Sequence, residues 1–134
     1  LAPIADAMQT DYPSFDGFIY KDLYRSSVGA SINWFNVQSY DEYTVKVFDQ
    51  MIQNGYPANK LVFGMVSDQF DATNFDLAIK IIKHLKKKYS DFAGVFNWEY
   101  FDAPPGPNPS NWAQLISSSS LDESVLLVDA EASE

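Results

Sequence analysis

Four strand-like segments alternate with helical patterns along this chain, and the alternation predicts a parallel α/β fold with helical crossovers. The segments fall at about residues 1–5, 33–39, 60–66 and 93–98. Their starts are spaced by roughly 30 residues, the size of one β-loop-α-loop unit. Two of them also end alike. Ile32-Asn33-Trp34-Phe35-Asn36-Val37-Gln38-Ser39-Tyr40-Asp41 and Gly94-Val95-Phe96-Asn97-Trp98-Glu99-Tyr100-Phe101-Asp102 begin as buried-strand patterns and run out into large aromatics, amides and carboxylates. In a parallel barrel the C-terminal strand ends face the active site. That mixture suits a sugar cleft: aromatic rings stack on the apolar faces of pyranoses, while amides and carboxylates hydrogen-bond the hydroxyls.

The helices between the strands follow in order. Residues 15–24 read as a short aromatic-rich helix. Residues 42–54 carry Val45, Phe48, Met51 and Ile52 at spacings of three and four and stop at Asn54-Gly55, a C-cap signal. Residues 74–89 hold the strongest stripe, with Phe75, Ala78, Ile79, Ile82 and Leu85 on one face and Lys80, Lys83 and Lys87 off it. Lys86-Lys87-Lys88 closes that helix where positive charge complements its dipole, so the lysines read as a solvated helix end. Ala103-Pro104-Pro105-Gly106-Pro107-Asn108-Pro109 continues neither a strand nor a helix. It leads to Ser110, expected to cap a last helix through Trp112 and Ile116. Residues 1–116 then form the folded domain. Residues 117–134, serine-rich then acidic, read as a tail in which residues 125–128 are apolar enough to dock on the body.

Composition narrows the classes of function. A hydrophobic share of 46% and an aromatic share of 16% over 134 residues describe a folded domain able to bury a core. The net charge of -9 argues against nucleic acid or an anionic membrane surface as partner, and is compatible with a neutral polysaccharide. No run approaches the length of a membrane span, and no secretory leader opens the chain. Without cysteine there is no disulfide or thiolate chemistry. The single His84, among lysines on a helix, reads as a solvated residue. A Ser-His-Asp or multi-histidine metal site has almost no material, so no metal or cofactor is expected. The chain begins on Leu1 without an initiator Met and reads as a piece of something larger.

Four β/α units are half of an eight-unit barrel. A free half-barrel exposes two unpaired edges. On this count alone the chain either closes a barrel with a second copy or a missing partner, or forms an open doubly wound sheet. Motif order adds to that. Leu1-Ala2-Pro3, then Val37-Gln38-Ser39-Tyr40-Asp41, then Lys60-Leu61-Val62-Phe63-Gly64-Met65, then Gly94-Val95-Phe96-Asn97-Trp98 resemble strands five to eight of glycoside hydrolase family 18, the chitinase and endo-β-N-acetylglucosaminidase family. The resemblance covers about residues 1–116. It implies the C-terminal half of a TIM (β/α)8 barrel, with the missing N-terminal half or a second copy as partner. It also implies secretion, and retaining cleavage of β-1,4-linked N-acetylglucosamine polymers in which the substrate's own acetamido oxygen attacks the anomeric carbon.

The resemblance also assigns residues. Tyr40 matches the catalytic tyrosine whose hydroxyl holds the acetamido group, and Gln38 and Asp41 match its sugar-contacting neighbours. Trp98 matches the apolar floor beneath the sugar, and Met8 and Gln9, soon after the first strand, are expected to reach the cleft. Trp34 reads as a packing aromatic. The strand-four signature Asp-x-x-Asp-x-Asp-x-Glu, which supplies the general acid, has no match here. Glu99 is on the wrong strand to replace it. Without the resemblance, a paired-carboxylate glycosidase built on Asp41 and Glu99 stays open. The alternatives to a hydrolase part are a non-catalytic chitooligosaccharide-binding or inhibitory protein of the same fold, and an assembly fragment of a larger complex.

Overall fold

The computed structural model describes residues 1–15 and 17–119. Its centre is a three-stranded parallel sheet in the order β1 (Phe35–Gln38), β2 (Leu61–Val66), β3 (Gly94–Trp98). The crossovers are α3 (Val45–Gln53), between β1 and β2, and α4 (Phe75–Lys88), between β2 and β3. Consecutive parallel strands joined by crossovers of one hand place both helices on the same face of the sheet. Short helices α1 (Ala5–Gln9) and α2 (Tyr20–Arg25) precede β1, and α5 (Ser110–Ser118) follows β3.

The first expected strand shrinks to an extended segment. Asn36 N–H donates to the Leu1 carbonyl at 2.7 Å and Gln38 N–H to the Pro3 carbonyl at 2.8 Å, and only Ile4 and Gln38 form a bridge. Parallel pairing alternates donors and acceptors along each strand. Pro3 lacks the N–H that would be directed at the Asn36 carbonyl, so the ladder breaks there. The chain then turns into α1 at Ala5, so the expected strand over residues 1–5 ends one residue early. The expected helix over 15–24 likewise starts late. Gly17 at φ +81 sits in a turn closed by its N–H on the Ser14 carbonyl at 2.8 Å, and helical backbone begins only at Tyr20.

The two crossover helices lie where periodicity places them. Thr44 caps α3, its hydroxyl oxygen accepting from Val47 N–H at 3.2 Å, and Gly55 at φ +106 follows the helix end. On α4 the buried stripe is Phe75, Ala78, Ile81, Ile82 and Leu85; Ile79, expected within it, is only partly buried. His84 is exposed, and Lys80 pairs with Asp76 one turn earlier at 3.7 Å. Ahead of α5, Asn108 rather than Ser110 does the capping. Its Oδ1 accepts from Ser110 N–H at 3.1 Å and Ser110 Oγ at 2.9 Å. The helix runs two residues past the expected boundary at 116, and the apolar stretch 125–128 lies outside the described residues.

Strand alternation decides the rest. Phe35, Val37, Leu61, Phe63 and Met65 are fully buried against the helices. Phe48 of α3 is the hub of this layer, with ring centroids 5.3 Å from Phe63, 5.4 Å from Tyr89 and 5.3 Å from Phe92. A second aromatic group joins Tyr20, Tyr24 and Tyr56 around Phe35. The alternate positions, Asn36, Gln38, Val62, Val66 and Phe96, are only half-buried and Trp98 is exposed. Among the described residues, no helix covers that second face. Lys88 Nζ and Tyr89 OH both donate to Asp49, at 2.7 and 2.5 Å, tying the end of α4 to α3.

Candidate functional site at the C-terminal strand ends

The register brings the two aromatic strand ends together. Gln38 pairs with Gly64 and Gly64 with Phe96, and one step on, Val66 pairs with Trp98. Ser39 N–H donates to the Gly64 carbonyl at 3.0 Å, so pairing continues just past β1. Ser39 is buried and Tyr40 half-buried, so the period-two alternation also continues and puts Tyr40 on the uncovered face with Gln38 and Trp98. Between them lies Phe96. A Cβ on Gly64 would stand 2.1 Å from its ring, so the end of the Phe96 ring occupies the space over the glycine.

Trp98 is 59% exposed and leads into Tyr100 and Phe101, exposed by 72% and 85%. Glu99 and Asp102, in the same stretch, are exposed as well. The backbone after Trp98 is held by polar contacts. Ser67 Oγ donates to the Glu99 carbonyl at 2.9 Å, and Asn97 Nδ2 donates to the same carbonyl at 3.0 Å and to Ser67 Oγ at 2.8 Å.

On the β1 side, Gln38 Nε2 donates to the Ala2 carbonyl at 2.6 Å, and this fastens the first extended segment. Asp41 takes φ +62, a left-handed conformation that short polar side chains tolerate, and its side chain is exposed. Burial raises the Tyr40 hydroxyl above its ordinary value, so it stays protonated and able to donate throughout the neutral range.

Glu42 is a carboxylate at this end that the sequence reading passed over. Its pKa is raised, first by burial and also by Asp6, against the lowering effect of a 3.3 Å hydrogen bond from Gln9 Nε2. Its position next to Asp41 was the only signal in the sequence. Gln9 thus reaches this end, by way of Glu42. Met8 does not: it is 0% exposed, packed in the core, and its backbone carbonyl accepts from Asn54 Nδ2 at 2.9 Å. The expectation that Met8 reaches the cleft fails because α1 turns that side chain inward. Trp34, expected to pack, is 51% exposed at the opposite end of β1, with its indole N–H on Asn36 Oδ1 at 3.0 Å.

Two grooves open elsewhere, one of about 440 Å³ beside Leu23, Ile32 and Trp34, the other of about 300 Å³ between α4, the start of β3 and α5. Neither includes Tyr40 or Trp98. Among the described residues, no group of three or more His, Asp or Glu side chains is placed to hold a metal, and no helix is long and apolar enough to cross a membrane.

Two solved structures share the fold of this chain. A fungal endo-β-N-acetylglucosaminidase from glycosyl hydrolase family 18 superposes with a TM-score of 0.75 and 28% identity, over 89% of this chain and 44% of its own. The chitinase ChiC from Aspergillus fumigatus follows with a TM-score of 0.61 and 25% identity, over 90% of this chain and 46% of its own. The chain resembles glycoside hydrolase family 18. It spans less than half the length of either neighbour. No protein-family model and no curated protein matches it. The α/β fold is chitinase-like, and both neighbours are glycoside hydrolases.

Proposed function

We propose that this chain is the substrate-holding part of a chitinase-like retaining glycoside hydrolase, corresponding to about strands five to eight of a TIM barrel. Its ligand is a polysaccharide or oligosaccharide containing β-1,4-linked N-acetylglucosamine. The observation that carries this reading is that Gln38, with Tyr40 two residues beyond it, and Trp98 stand at the C-terminal ends of β1 and β3, the two strands that flank β2.

In this reading Trp98 is the platform for the apolar face of one sugar ring. The protonated Tyr40 hydroxyl donates to the acetamido group, which is itself the nucleophile in substrate-assisted cleavage, so no carboxylate of this chain attacks carbon. Gln38 and Asp41 supply further hydrogen bonds at the same strand end, and Gln9 acts by orienting Glu42. The proton donor belongs to a strand absent from these 134 residues. Among the described residues no helix covers the second face of the sheet and no further strand pairs with β3; there the rest of the barrel, or a second copy, completes the wall. An extracellular setting goes with a polysaccharide substrate.

Holding without cleaving is therefore the expected behaviour of the chain by itself. Loss of a general acid forfeits about 10²–10⁴ in rate. Titration with the N-acetylglucosamine trimer, followed by tryptophan fluorescence, should give saturable quenching that Trp98→Ala weakens by about tenfold or more. No reducing ends should be released on prolonged incubation. Affinity unaffected by Trp98→Ala, or turnover by the pure chain, contradicts the reading.

A further inference from the structure

We propose that Asn97 and Ser67 are positioning residues that set the angle at which Trp98 meets a sugar; this rests on the reading of Trp98 as the sugar platform. Trp98 is the last paired residue of β3, joined to Val66, and beyond it the ladder stops. A strand-end indole that is 59% exposed has little packing to hold it. What fixes the backbone beside it is the Glu99 carbonyl, the next one after that of Trp98 itself, which accepts from Ser67 Oγ at 2.9 Å and Asn97 Nδ2 at 3.0 Å. The third side of the triangle, Asn97 Nδ2 to Ser67 Oγ at 2.8 Å, locks the two donors to each other.

The triangle spans two strands. Ser67 directly follows β2 and Asn97 lies within β3, so the Trp98 backbone is clamped to its neighbour on both sides, by the ladder before it and by side chains after it. Alternation turns Asn97 away from the uncovered face, so it serves Trp98 without touching a ligand there. The arrangement leaves Asn97 Oδ1 buried without a partner. Buried polar atoms are normally satisfied. Here the amide gives up its acceptor bond to aim its donors at Ser67 and the carbonyl after Trp98, an expense that favours orientation of the indole over simple stability. Preorganisation of this kind matters because a small misplacement of a contacting group costs binding and rate steeply.

The test uses the whole chain. Relaxation of the Trp98 indole N–H signal, assigned with Trp98→Phe, reports how firmly the ring is held, and titration with the N-acetylglucosamine trimer reports affinity. Asn97→Ala and Ser67→Ala are expected to lower the order of the indole and weaken trimer binding about tenfold, while the backbone amide spectrum elsewhere stays in place. Ser67→Thr keeps the hydroxyl and should restore both. Indole order unchanged in both alanine variants overturns the proposal, as does a loss that Ser67→Thr shares with Ser67→Ala. If the parent chain fails to bind the trimer, the sugar reading falls, and the indole order alone decides whether Asn97 and Ser67 position the ring.

Discussion

Gly64 bears more of the site than its size suggests. Its missing side chain is the space in which the Phe96 ring lies, and that ring fills the face between Gln38 and Trp98. Gly64→Ala should therefore overpack β2, costing about 1–3 kcal/mol in urea denaturation, and shift the Trp98 indole signal. The sequence names Gly64 within a strand, but only the register shows which ring rests on it. Met8 and Trp34 make the complementary point. Position after a strand suggested a cleft residue and an aromatic beside a strand suggested core, yet α1 turns Met8 fully inward and Trp34 stands half exposed. Burial depends on the angle at which a short helix leaves a strand, and a linear pattern does not encode that angle.

At the scale of elements, periodicity carried most of the information. The crossover helices and three strands fall within a few residues of their expected bounds, because each has an apolar face long enough to declare its period. The misplacements occur at residues 1–9 and 15–25, where one proline and one turn glycine outweigh the apolar pattern. Two consequences can be measured. Phe48 joins β2, α4 and the loop before β3, so Phe48→Ala should cost about 3–5 kcal/mol, against about 1 kcal/mol for Thr44→Ala at the cap of the same helix. The junction of α3 with α4 should also be sensitive to acid. Burial alone would raise the Asp49 pKa, but hydrogen bonds from Lys88 and Tyr89, with the nearby positive charge, bring it below the ordinary 3.8. A carboxylate depressed on folding stabilises when ionised. Its contribution is full above the unfolded value and disappears as pH falls through the folded one. The stability gap between the parent chain and Asp49→Asn should thus stay level above about pH 4 and shrink below it, as chemical denaturation at a series of pH values would show.

Across the described residues as a whole, one face of the sheet is packed against helices and no helix covers the other, which carries Gln38, Phe96 and Trp98 with Tyr40 just beyond β1. The motif order pointed to an α/β barrel fold, and the likeness to two glycoside hydrolase structures over about nine-tenths of the chain supports an α/β fold of that kind. The support behind the site was not legible in the same way. Glu42 with Gln9, and the triangle of Asn97, Ser67 and the Glu99 carbonyl, join residues distant along the chain, and only folding brings them into contact. On the proposed function, the strand ends hold an N-acetylglucosamine polymer. Backbone amide shifts on titration with the N-acetylglucosamine trimer test it most directly. Perturbations gathered at residues 38–42 and 96–102 are the predicted result; shifts gathered instead around Trp34 or Trp112, or no shifts at saturating sugar, would contradict it.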